Sequence, residues 1–267
     1  MDKSLPVAKT VDMHVHSEFS DAPNNTTDLI TETFKRLNMG VCVCDHNEIR
    51  GSIELFTREE LFTIPSIEIG SMERLEFLLY FSSPGDLEDY YIRHVEPFKK
   101  SRYYAKLDRS FEELIPAAKD YGAAVGLPHP FAPSWKNINF GRKRKVKLFA
   151  PDLFSQIDLI EVINGHLPDK RNFKAFLLSE VFDKSPIAGS DSHVPETLGL
   201  VYCQFNEALN YIEMLQVLTS GIRVGMNQKF SMRKTANVGR KVIGSHLKLF
   251  VSRKNQRRWM VRYEAAG

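Results

Sequence analysis

The sequence predicts an α/β fold, and three features carry that expectation. Short apolar runs alternate with stretches of helical spacing along residues 1–228, the order of βαβ units. Several of those runs are followed at once by histidine or carboxylate clusters, which puts the clusters at C-terminal strand ends. The stretch Asp12-Met13-His14-Val15-His16 sets three polar side chains on one face of one strand, because residues two apart point the same way.

The first strand ends in His14 and His16, where two imidazoles can grip one metal ion. Asn25-Thr26-Thr27-Asp28 offers caps for a helix through Leu37, with Leu29, Ile30, Thr33, Phe34 and Leu37 at helical spacing. Gly40 punctuates the return to a strand from Val41 to Cys44, which delivers Asp45-His46-Asn47. Glu54 to Phe62 reads as helix, Ile64 to Ile67 as the strand before Glu68, and Phe77 to Phe81 as another strand. Asp86 to Ser110 is polar, rich in tyrosine and helical in outline. Phe111 to Tyr121 is a helix ended by Gly122, and Ala123 to Leu127 the strand that carries His129. Phe131 to Lys147, with Pro133, Trp135 and Arg142-Lys143-Arg144-Lys145, reads as a long loop over the active face. Ile157 to Ile163 is a strand, followed by Asn164-Gly165-His166 and a helix near Arg171 to Val181. Pro186 to Ala188 precedes Gly189-Ser190-Asp191-Ser192-His193; Glu207 to Thr219 then reads as helix and Ile222 to Gly225 as a short strand or turn.

The order His-x-His, Asp-His-Asn, Glu, Pro-His-Pro, Asp-Ser-His, from Val11 to about Gly199, resembles the PHP (polymerase and histidinol phosphatase) family. That resemblance implies a distorted seven-stranded β/α barrel with up to three metal ions at its C-terminal face, hydrolysing phosphate esters. It assigns His14, His16, Glu68 and Asp191 to one ion, Glu68 with His129 to a second, and Asp21, His46 and His193 to a third. Imidazole and carboxylate together suit two to three divalent ions such as Zn, Mn or Fe. The family usually supplies a further histidine on the strand after the bridging Glu. Here Arg74 to Tyr80 contains none, and Glu76 either replaces it as a ligand or is a solvated strand-end carboxylate.

Asp12 and Asp45 each sit beside a ligand, where a carboxylate can take the second ring N–H of a metal-bound histidine. His166 and Arg171, beyond the strand that ends near Asn164, are candidates to reach the same face and clamp a substrate phosphate; Lys170 reads as a solvated helix start. No Gly-x-Ser-x-Gly elbow and no protease-type Cys-His pairing stands out, consistent with hydrolysis by metal-activated water. Cys42 and Cys44 alternate with valines and read as small apolar strand residues rather than soft ligands.

With 43% hydrophobic residues the 267-residue chain can bury one sizeable core. Residues 1–228 form the expected barrel and residues 229–267 a basic helical extension, with Val242, Ile243, Leu247, Phe250 and Val251 along one face of a helix over residues 238–251. The net charge of +3 divides unevenly: the extension holds eleven Lys or Arg against one acidic residue, net +10, and the rest 25 against 32, net −7. A basic tail suits either docking on the acidic barrel or contact with nucleic acid. The absence of an eighteen-residue apolar run and of an apolar core in residues 1–10 predicts a cytoplasmic protein without a membrane span. The leading expectation is thus a phosphoesterase acting on a phosphorylated small molecule, nucleotide or oligonucleotide end. A non-catalytic PHP module and a nuclease using the basic tail are the alternatives.

Overall fold

Hydrogen bonding of alternately apolar segments builds two sheets in the computed structural model, which describes residues 6–99, 106–132, 151–220 and 225–228. The four-stranded sheet has the order β2-β1-β8-β9, from Gly40–Val43, Val7–Val15, Val201–Asn210 and Gly225–Gln228. The five-stranded sheet runs β3-β4-β5-β6-β7, from Ser66–Gly70, Glu76–Tyr80, Ala124–Leu127, Leu159–Asn164 and Ser185–Gly189. β1 and β2 are parallel, as are β5, β6 and β7, with helices α1 (Thr27–Leu37), α5 (Pro151–Gln156) and α6 (Asp169–Val181) in their connections, while α4 (Phe111–Asp120) leads into β5 from the antiparallel β4. α2 (Arg50–Phe56), α3 (Pro84–Tyr90) and α7 (Tyr211–Thr219) complete the described helices.

The expected βαβ order fails at β4, which runs antiparallel to β5 and to β3 alike, β3 and β4 forming a hairpin. Their connection, Ser71 to Leu75, is too short for a crossover, and Ser71 N–H closes it on the Leu75 carbonyl at 2.8 Å. Two isolated parallel bridges join the sheets, His46 to Glu68 between the ends of β2 and β3 and Val15 to Ser192 between the end of β1 and the segment after β7.

Period-two alternation sorts the side chains. Val41 and Val43 pack with Val15, Ile30 and Phe34, while Cys42 and Cys44 face Met13, Tyr80, Leu159 and Ile187 from both sheets. Ile67 and Ile69 enter a third cluster with Phe77, Leu79 and Phe81, which leaves Glu68 to the opposite face. Tyr80 is fully buried and its hydroxyl donates to the Met13 carbonyl at 2.8 Å, pinning β4 to β1.

Helix α1 starts and stops as its residues dictate, with the Thr26 hydroxyl accepting the Leu29 N–H and Asn38 closing the helix in the left-handed region. Two helices differ from expectation. α2 begins at Arg50 because the Glu48 carboxylate accepts the Ile49 and Arg50 N–H groups, and it ends before Arg58. Glu207 lies on β8, since α7 begins only where the Asn210 side chain accepts the Ile212 and Glu213 N–H groups. Among the described residues no helix is long and apolar enough to cross a membrane. The loop expected from Phe131 to Lys147 is described only through residue 132, and the basic extension with its expected helix lies outside the described residues.

Candidate metal centre

The strand ends bring nine sequence-selected side chains together. His14 and His16 leave β1 on one face, and a tight loop from Ser17 turns Asp21 back beneath them. Asp45 holds that loop by accepting the Ser17 N–H at 2.7 Å and both the Ser17 and Ser20 hydroxyls. His46 and Glu68 sit on the bridge that joins the sheets, Glu76 opens β4, His129 follows β5, and Asp191 and His193 follow β7. His129 and Asp191 adopt φ of 28° and 51°, a strained region for non-glycine residues that concentrates at functional sites.

Three groups of ligand atoms converge: His16, Asp21, His46 and His193; His14, His16 and Asp191; His46, Glu68 and Glu76. His14 Nε2 faces His16 Nε2 at 3.1 Å, and His16 Nε2 lies 3.1 Å from Asp191 Oδ1. His193 Nε2 stands 3.1 Å and His46 Nε2 3.5 Å from Asp21 Oδ2. Glu68 is central, with Oε2 2.8 Å from His46 Nδ1, 3.5 Å from His16 and 3.7 Å from His14, and Oε1 3.4 Å from His129 Nε2. Glu76 is buried rather than solvated, with Oε2 3.7 Å from His129 and Oε1 3.8 Å from His46.

These residues fit metal ions. Both Glu68 oxygens are buried and face imidazole nitrogens, and imidazole nitrogens point at one another across distances that one ion bonded to both would span. Burial opposes ionisation of Asp21, Glu68 and Asp191, yet facing histidines hold all three carboxyls well below the usual range. Burial also lowers imidazoles: it takes His16 down to about 3, with His193 adding to it, whereas for His129 the Glu68, Asp191 and Glu76 carboxylates overcome it and raise the ring to about 9.

Several expected roles move. Asp12 takes no ring N–H; its carboxylate accepts the backbone N–H groups of Ser190 at 2.8 Å, Gly199 at 3.2 Å and His14 at 3.3 Å, tying β1 to the segments around β7 and β8. Asp45 likewise serves the loop and not an imidazole. The carboxylate on His14 Nδ1 is instead Glu161, at 3.0 Å. The sequence offers one sign of it, a charge set between Ile160 and Val162 in the apolar middle of a strand. Arg171 donates to the Phe131 carbonyl at 2.5 Å, steadying the turn after His129, and Lys170 is exposed. His166 packs edge-on to His193 at 5.8 Å between ring centres, and its Nε2 donates to the Asp191 carbonyl at 2.6 Å. Cys42 and Cys44 lie in the core among apolar side chains, where burial pushes the Cys44 thiol up to about 12.

An α/β frame with a buried histidine and carboxylate cluster at its strand ends presents a candidate metal centre. The family described as PHP-associated matches residues 169–222. An uncharacterised protein of Methanocaldococcus jannaschii is 26% identical over 204 residues, 74% of this chain and 70% of that protein. The lesion-specific endonuclease Q of Pyrococcus furiosus has a similar fold, with a TM-score of 0.63 and 18% identity over 84% of this chain; the chain spans 58% of that protein. An endonuclease Q complex with a 27-mer duplex substrate carrying an abasic lesion matches with a TM-score of 0.64 and the same identity and coverage. A two-domain Bacteroides vulgatus protein containing a predicted PHP-like metal-dependent phosphoesterase matches with a TM-score of 0.55 and 15% identity over 88% of this chain and 71% of that one. The fold is similar to that of these proteins, and the PHP-associated match falls on its C-terminal part.

Proposed function

We propose that the chain is a metal-dependent phosphoesterase, acting on a phosphorylated small molecule, a nucleotide or a nucleic-acid strand. The carrying observation is the convergence of His14, His16, Asp21, His46, Glu68, Glu76, His129, Asp191 and His193 in one cluster at the strand ends. His14, His16 and Asp191 would hold one ion, Asp21, His46 and His193 with His16 another, and Glu68 with His129 and Glu76 a third; two to three ions of Zn, Mn or Fe suit that donor set. Bound divalent ions lower the pKa of a coordinated water to near 7 and neutralise charge on a phosphoryl oxygen. Glu68, between the histidines, fixes the spacing of the sites, and His166 holds the Asp191 backbone in its left-handed turn. The structure has two sheets, and the bridges at His46 and Ser192 between them support a reading of β1 to β7 as the distorted seven-stranded barrel. Residues 1–228 would form this unit and 229–267 a basic extension.

The nuclease form of this reading is supported by the similarity to endonuclease Q in complex with a DNA duplex and by the basic extension, whose net charge of +10 suits a polyanion. The test is to count metals per chain in protein purified without chelator. Turnover of p-nitrophenyl phosphate and cleavage of single- and double-stranded DNA are then measured for wild type and Glu68→Gln. Metal-dependent turnover that falls by about 100-fold or more in the variant is expected, since a ligand matters at least as much as its supporting groups. Full metal occupancy with unchanged turnover in Glu68→Gln, or no metal-dependent hydrolysis of any of these substrates by wild type, would overturn the reading.

A further inference from the structure

Glu161, on β6, is 1% exposed, and each partner of its carboxylate is a cluster residue or a side chain that holds one. Oε1 accepts from His14 Nδ1 at 3.0 Å. Oε2 accepts the His129 backbone N–H at 2.7 Å and the Asn164 side-chain N–H at 2.9 Å. Asn164 passes the contact on, its Nδ2 donating to Asp191 Oδ2 at 3.2 Å and its Oδ1 accepting the His166 N–H at 2.9 Å. One buried carboxylate therefore reaches His14 on β1, His129 after β5 and, through Asn164, Asp191 after β7. The last two are the cluster residues whose backbones occupy the strained left-handed region. Room for this comes from Gly189, where a Cβ would stand 2.8 Å from Glu161 Oε1 and 2.3 Å from His14 Cβ.

We propose that Glu161, seconded by Asn164, is the positioning residue of the centre: it fixes Nε2 as the metal-facing nitrogen of His14, aims His129 and Asp191, and thereby sets the affinity of the ion held by His14, His16 and Asp191. The inference rests on the metal-dependent reading above. A carboxylate offers only acceptors, so the hydrogen of neutral His14 stays on Nδ1 and the lone pair stays on Nε2, which faces His16 Nε2, Asp191 Oδ1 at 3.6 Å and Glu68 Oε2 at 3.7 Å. Such a partner also raises the basicity of the ligand. The group of Asp21, His46 and His193 takes no hydrogen bond from the Glu161 carboxylate and is linked to it only at one remove, through the shared His16 and through the Asp191 carbonyl that accepts from His193 Nδ1 at 2.7 Å.

Glu161→Gln separates this role from a packing role, because the two side chains have the same shape and the amide has only one oxygen. With that oxygen on His14, the NH2 group meets two N–H donors. With it turned toward His129 and Asn164, the NH2 group faces His14 Nδ1 and drives the ring hydrogen onto Nε2, where an ion must bind. Wild type and variant are titrated with Co(II), following the visible spectrum and ions retained per chain. The histidine tautomers of chelator-treated protein are read by long-range 1H–15N spectra at a pH where His14 is neutral. The expected result is an affinity for one ion about 10–100-fold weaker in the variant, with retention of the ion at Asp21, His46 and His193 and a His14 tautomer that changes.

Unchanged affinities with an unchanged His14 tautomer would overturn the proposal. So would an equal loss of every ion that accompanies unfolding of the chelator-treated variant, provided Asn164→Ser, which leaves Glu161 on His14 but cuts the link to Asp191, also leaves the affinity of the His14 ion unaltered. Failure of the metal reading itself shows separately, as wild type that retains no ion, and the tautomer comparison then still decides whether Glu161 orients His14.

Discussion

Gly189→Ala tests how tightly the frame and the centre are interlocked. An added Cβ would stand 2.3 Å from His14 Cβ, 2.9 Å from the His14 nitrogen and 2.8 Å from Glu161 Oε1. None of these can give way cheaply. The His14 carbonyl accepts the Asp191 N–H at 2.7 Å, the Gly189 carbonyl accepts the Gly165 N–H at 3.0 Å, and the Glu161 carboxylate is held at both oxygens. Overpacking of this kind costs about 1–3 kcal/mol. For a domain of this size each kcal/mol lowers Tm by about 2–4 °C, so the fall is roughly 2–12 °C. Gly126→Ala is the control, because its nearest neighbour, Leu78 Cβ, is 3.4 Å away and the contact is ordinary. Differential scanning calorimetry and metal retention should show Gly189→Ala destabilised with a weakened ion at His14, and Gly126→Ala within about 1 kcal/mol of wild type. Equal Tm values for the two variants, with full metal retention in both, would refute the interlock.

Two further outcomes follow from buried hydrogen bonds. Tyr80→Phe removes the donor to the Met13 carbonyl in a fully buried setting and should cost about 1–2 kcal/mol in urea denaturation, with metal content unchanged because the contact lies in the apolar cluster. Asn25→Ala removes the side-chain N–H donors to the His16 carbonyl at 3.0 Å and the Ser192 carbonyl at 3.1 Å; it should cost about 1–3 kcal/mol and also reduce metal retention, since both carbonyls flank cluster residues.

The cluster was legible because its chemistry is local to strand ends. His14 and His16 share a face by period two, and His46, Glu68, His129, Asp191 and His193 each follow an apolar run, so order along the chain was enough to gather them. What escaped depends on partners distant in sequence. Glu161 is a supporting residue only because His14, 147 positions earlier, turns Nδ1 toward it. Asp12 looked like the natural neighbour for an imidazole, but three backbone N–H groups from separate segments claim its carboxylate first. The antiparallel β3–β4 pair was hidden because apolar strands buried on both faces read alike whichever way they run. β8 was misread as helix over Glu207 because its far end is polar and exposed, and the Asn210 cap, not periodicity, decides where α7 begins.

The seam between the two sheets and the metal centre are the same residues. The two sheets meet where the Asn47 N–H reaches the Glu68 carbonyl at 2.8 Å, the His16 N–H the Ser192 carbonyl at 3.1 Å and the Asp191 N–H the His14 carbonyl at 2.7 Å. Joining the sheets thus forces five imidazoles and four carboxylates into one buried space, a cost that pairwise contacts and bound ions must offset. An ion that binds only the closed arrangement adds RT ln(1 + [L]/Kd), about 2.7 kcal/mol at one hundred times Kd. The same ion would close the seam and arm the site, so the ligands need no separate scaffold: the backbone that positions them is the backbone that joins the sheets.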